Sequence, residues 1–118
     1  MIDLKIIKAQ LQLNTQVKEL KLWLSQKETV TYKNHKTNNP TDKSAMDKIV
    51  SSYKADDEVW LSKEDELIQC ELALKNVTML YNILMESLKC VQNPESGFVM
   101  EDFVDIQEEY IEALGEGL

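Results

Sequence analysis

Residues 60 to 92 read WLSKEDELIQCELALKNVTMLYNILMESLKCVQ, and the periodicity of this stretch decides the fold. Trp60, Leu67, Leu74, Tyr81 and Leu88 recur every seven residues, and Cys70, Val77, Leu84 and Val91 fill the positions between them, a heptad pattern broken only at Lys63. Ser62 followed by Asp65 approximates a capping box, and Asn93-Pro94 with Gly97 supplies a stop, so a helix is expected from about 62 to 92. Leu61, Ile68, Leu72, Met79 and Ile83 form a second apolar stripe, rotated well away from the first. A helix apolar on two sides must be covered twice, which makes it the central element of a bundle. At 1.5 Å per residue it is about 46 Å long. A compact globule of this chain length is only about 35 Å across, so the expected molecule is elongated or packs part of this helix on a second copy.

Upstream, Ile6, Leu13, Val17, Leu20 and Leu24 share one face of a first helix over 3–27, which Leu4, Ile7 and Leu11 widen. Trp23 reads as a core anchor beside that face. Thr29-Val30-Thr31-Tyr32 is β-branched and aromatic but has no second strand to pair with, so it reads as loop. Residues 33–43 are polar and rich in turn formers, which reads as a flexible loop holding the single His35 as a solvated side chain. A short helix carrying Met46, Ile49, Val50 and Tyr53 follows, capped by Asp42 or Ser44. The last helix, about Val99 to Leu114, turns Phe103, Ile106, Gln107, Tyr110 and Leu114 inward, with Gly115 to end it. The expectation is one all-α domain over 1–118, an antiparallel bundle of three main helices and one short one.

The chain of 118 residues holds 13 Lys, no Arg and 21 acidic residues, a formal charge of -8. Residues 1–89 carry 13 Lys against 13 acids, so the whole net charge falls after Cys90. An acidic chain without the Arg fork is poorly suited to phosphates or guanine, and no direct nucleic-acid binding is expected. No run of 18 apolar residues or apolar leader is present, which predicts a cytoplasmic protein with no membrane contact. Abundant Lys, Asn and Ile without Arg fit an AT-rich coding genome. Cys70 and Cys90, twenty residues apart on one helix, lie about 30 Å apart and do not form a disulfide.

The acids of the last helix form the one constellation with chemical potential. Glu101, Asp105, Glu108 and Glu112, spaced 4, 3 and 4, stack on one line, with Asp102 and Glu109 beside it. Glu101-Asp102-x-x-Asp105 resembles the second half of the acidic signature of all-α nucleotide pyrophosphohydrolases, which implies a Mg²⁺-dependent enzyme as one reading. The first half of that signature is absent: Glu64, Asp65, Glu66, Glu71 and Glu86 of the long helix make no inward pair at a spacing of three. No nucleophile–base pair, Gly-rich phosphate loop or metal-ligand set is visible, so no catalytic residue and no cofactor is expected.

The favoured reading is therefore a non-catalytic protein-interaction module, homo-oligomeric through the long helix. Its acidic face, Glu101, Asp102, Asp105, Glu108, Glu109 and Glu112, would bind or inhibit a partner with a basic surface, such as a nucleic-acid-binding protein whose ligand the row imitates. The heptad line Trp60, Leu67, Leu74, Tyr81 and Leu88 is open to two uses, internal core or oligomer seam.

Overall fold

A computed structural model describes residues 1–35 and 43–114. The chain is all-α, with a long heptad-bearing helix. Its elements are α1 (Leu4–His35), α2 (Lys43–Lys54), α3 (Glu58–Gln92), a single 3₁₀ turn (Pro94–Ser96) and α4 (Met100–Leu114), with no strand among the described residues. None of these helices is long and apolar enough to cross a membrane. The chain divides into two compact units, Met1–Thr15 with Glu71–Leu118 and Gln16–Cys70.

Unit 1 is built from the start of α1, the second half of α3, and α4. Ile6, Ala9, Val77, Leu80, Leu84 and Phe103 form its buried core, against which Leu13, Tyr81, Leu88, Ile106, Ile111 and others pack. Gln10 Nε2 donates to Thr78 Oγ1 at 3.4 Å, linking α1 to α3. Buried Gln107 accepts the Asp3 backbone N–H at 2.7 Å, which satisfies one of the amides left over at the start of the chain's first helix.

Unit 2 is held by a polar and aromatic cluster around Trp60, which is 1% exposed. Lys27 and Lys54 lie over its ring, 5.8 and 5.6 Å from the centroid. Lys27 pairs with Asp57 at 3.4 Å and Lys54 with Glu64 at 2.6 Å. As the α1 partner rises from Gln16 to Lys27, the partner before or in α3 falls from Cys70 to Asp57, so these segments run antiparallel. Val17, Leu20 and Val50 complete the buried apolar set among the described residues of this unit.

Two boundaries depart from the sequence expectation. Helix α1 continues through Thr29–Tyr32 to His35, because Thr31 is buried and Thr29 Oγ1 donates back to the Ser25 carbonyl, so tertiary cover overrides local β preference. His35 is exposed, as expected, but it stacks on Tyr53 with ring centroids 3.8 Å apart. Helix α3 begins at Glu58, four residues before Ser62, because Asp57 accepts the Trp60 backbone N–H at 3.1 Å and caps it. Residues 36–42 of the expected loop, the cap candidate Asp42 and the terminator Gly115 lie outside the described residues, as do the side chains of Ser44 and Met46.

The end of α3 follows the Asn-Pro and Gly signals. Asn93 Oδ1 accepts the Glu95 N–H at 3.1 Å, and Gly97 closes the turn at φ 70°. Ser96 Oγ donates to the Cys90 carbonyl at 2.6 Å, covering one of the orphan acceptors of the helix terminus.

Candidate functional site

Helix α4 is amphipathic because its apolar side docks on the core of unit 1. Phe103 is fully buried and Gln107 nearly so, while Ile106, Ile111 and Leu114 are half-buried. The helix starts on a reciprocal cap. Asp102 Oδ2 accepts the Val99 N–H at 3.0 Å, and the Val99 carbonyl accepts the Asp102 N–H at 3.0 Å. This is half of a capping box in which Asp stands at N3, so Asp102 has a local structural role that its neighbours lack.

Glu101, Asp105, Glu108, Glu109 and Glu112 are exposed. The line Glu101, Asp105, Glu108, Glu112 climbs the side of α4 opposite Phe103, one carboxylate per turn, about 5 Å apart along the axis. Glu101 and Asp102 sit in the first turn, where the helix dipole favours them, whereas the last turn holds no basic residue. Ion pairs among the described residues include Lys27–Asp57, Lys54–Glu64, Lys63–Glu66 and Lys89–Glu86, and none of these involves α4.

The heptad line is used inside the chain. Trp60 is buried in unit 2, Leu67 and Leu74 are half-buried, and Tyr81 and Leu88 pack against the core of unit 1. The second stripe of α3 is the part left uncovered, with Leu61, Ile68, Leu72 and Met79 between 43% and 61% exposed. Beside the unit 1 part of that stripe lie two open pockets. One of about 410 Å³ is lined by Ile83, Glu86, Cys90 and Phe98 among others, and one of about 150 Å³ by Met79, Ile83, Tyr110 and Leu114 among others. Ile83 lines both, so they form one groove between α3 and the chain that follows it. Tyr110, read from the sequence as inward, is 40% exposed at this groove. The signal that marks the groove is the second apolar stripe; Phe98 and Cys90, which join it, gave none.

No three His, Cys, Asp or Glu side chains among the described residues are grouped so as to hold a metal ion. On α3, Glu64, Glu66 and Glu86 are each engaged by a Lys. Cys70 is half-buried and its thiol donates to Gln16 Oε1 at 3.8 Å, while Cys90 is exposed.

No family model, curated protein or solved structure matches this chain.

Proposed function

We propose that this protein is a non-catalytic interaction module whose α4 carboxylate face binds a basic surface on another protein. The observation that carries this reading is the line Glu101, Asp105, Glu108 and Glu112, exposed and without a Lys partner among the described residues. Like charges one turn apart cost helix stability, and acids in a last turn oppose the dipole. A basic partner removes both penalties on binding and is steered to the face by long-range attraction. The row imitates the spacing of charge along a nucleic-acid strand only in kind, one negative group per regular step. On that reading the partner is a nucleic-acid-binding protein and the module its competitor. Association with a second copy of the chain belongs to the same proposal and uses other residues.

The test is affinity capture from the native host with the wild-type chain and with the Glu108→Lys, Glu112→Lys variant side by side. The expected partner is basic, is released as salt rises from about 0.05 to about 0.3 M, where the Debye length shortens roughly twofold, and is lost from the variant. A DNA oligonucleotide that displaces it supports the mimicry form. A partner retained equally by the variant would refute the acidic-face reading.

A further inference from the structure

The heptad line of α3 is occupied within the chain, so any self-association has to use another surface. Within unit 1 the outer apolar stripe of α3 runs through Leu72, Met79, Ile83 and Cys90, spaced 7, 4 and 7, while Met85, 37% exposed, lies on another face of the helix. Leu72 and Met79 are 54% and 53% exposed, Cys90 is exposed and Ile83 is half-buried. This ridge borders the groove that Ile83, Phe98, Tyr110 and Leu114 line. Of the residues lining the groove's two pockets, only Glu86 is charged. An apolar surface of low charge does not suit a basic peptide. It suits a helix of the same kind.

We propose that this groove is an isologous dimer interface, in which α3 of a second copy lies antiparallel along α3 with the two-fold axis level with residue 81. The 7, 4, 7 spacing reads the same in both directions. An axis at residue 81 therefore sets Leu72 opposite the partner's Cys90 and Met79 opposite the partner's Ile83, and the reverse pairs follow by symmetry. Charge selects this direction. The same axis places Lys75 beside the partner's Glu86 twice, whereas a parallel pairing in register sets Lys75 against the partner's Asn76 and Glu86 against the partner's Ser87, which carry no charge. Lys75 is exposed and in no ion pair among the described residues, and Glu86, 73% exposed, holds only the exposed Lys89 of its own turn.

The carboxylate row lies on the opposite side of α4 from Tyr110 and Leu114 by helical rotation, so the pairing does not bring two acidic faces together. The stretch 72–90 is about 28 Å long. That is a small interface, which places the dimer among weak, reversible associations. These residues are distinct from the acidic row, so failure of this pairing leaves the acidic-face reading standing.

Sedimentation velocity on the full chain across about 1 to 200 μM reads the association, a range that brackets a micromolar Kd. The expected result is a reversible monomer–dimer equilibrium that Met79→Glu weakens at least about tenfold, by setting a charge against the partner's Ile83 at both ends, with far-UV circular dichroism unchanged. Lys75→Glu and Glu86→Lys each weaken it, and the two together restore it. In a Cys70→Ser background, Leu72→Cys yields on mild oxidation a covalent dimer whose disulfide maps to the partner's Cys90. A monomer at every concentration, or a dimer indifferent to Met79→Glu, overturns the interface. A Cys90–Cys90 disulfide, or a double charge reversal that does not restore association, overturns the antiparallel register.

Discussion

Asp57 shows how much one side chain decides. Its carboxylate caps α3 through the Trp60 N–H and also meets Lys27 Nζ at 3.4 Å. The Trp60 backbone bond, with Lys27 in support and partial desolvation in opposition, holds the carboxyl below the usual carboxylate range. A depressed folded-state pKa contributes stability that is present above the unfolded value, about 3.9, and lost as pH falls through the folded value. Asp57→Asn keeps an acceptor at the cap, so at neutral pH it lowers Tm only slightly. Its distinguishing effect is on the acid side, where the fall of Tm below about pH 5 becomes shallower than in the wild type. Superimposable pH profiles would show that the carboxyl is not held by these donors. Burial sets a second contrast between residues. Phe103 is 0% exposed and Leu72 54%, so Phe103→Ala lowers the unfolding free energy in urea by about 3–5 kcal/mol, while Leu72→Ala stays within about 0.5 kcal/mol. Equal losses would mean that Leu72 is covered as well.

At the scale of the element, the long helix was legible because it carries a strong period and a strong stop, and the last helix because it carries a strong period. Asn93, Pro94 and Gly97 act where the sequence places them, and Gln107 faces inward because it takes the Asp3 amide. The start of α3 was not legible, since Asp57 and Ser62 are both good cap residues and only the docking of Trp60 chooses between them. The same applies to Thr29–Tyr32, whose helical state depends on the burial of Thr31. For the candidate site, the carboxylate row was fully visible in the 4, 3, 4 spacing. Its lack of Lys partners was not, because nothing in a sequence states which of 13 Lys reaches which acid. Two predictions belong here. Gly97 sits at φ 70° with open space around a built Cβ, so Gly97→Ala meets only backbone strain and costs about 1–2 kcal/mol, with Gly97→Asn costing less. For the acidic helix, Glu112→Lys removes a like-charge neighbour of Glu108 and supplies the missing cation of the last turn, so it raises stability by roughly 0.3–1 kcal/mol at low salt. The gain shrinks as salt is added. A variant less stable than wild type would mean that Glu112 already has a favourable partner.

At the scale of the whole molecule, the charge is sorted by unit. Residues 16–70 hold 9 Lys against 10 acids and are almost balanced, whereas residues 1–15 and 71–118 hold 4 Lys against 11 acids and carry nearly all of the formal -8. A charge this concentrated gathers cations as a diffuse atmosphere, which is a different thing from a metal site. The distinction separates the interaction reading from the Mg²⁺-dependent hydrolase that Glu101-Asp102-x-x-Asp105 resembles. A hydrolase site needs carboxylates from a second helix, and on α3 Glu64, Glu66 and Glu86 are already held by Lys54, Lys63 and Lys89. A specific site stabilises the folded state with saturation, by about 2.7 kcal/mol when the ion stands at 100 times its Kd. A diffuse atmosphere follows ionic strength alone. Thermal unfolding in several millimolar Mg²⁺ is therefore expected to match unfolding in NaCl of equal ionic strength, with no saturating rise in Tm. A rise that saturates, and that Asp105→Asn abolishes, would identify α4 as a metal-binding helix and transfer its carboxylates from recognition to chemistry.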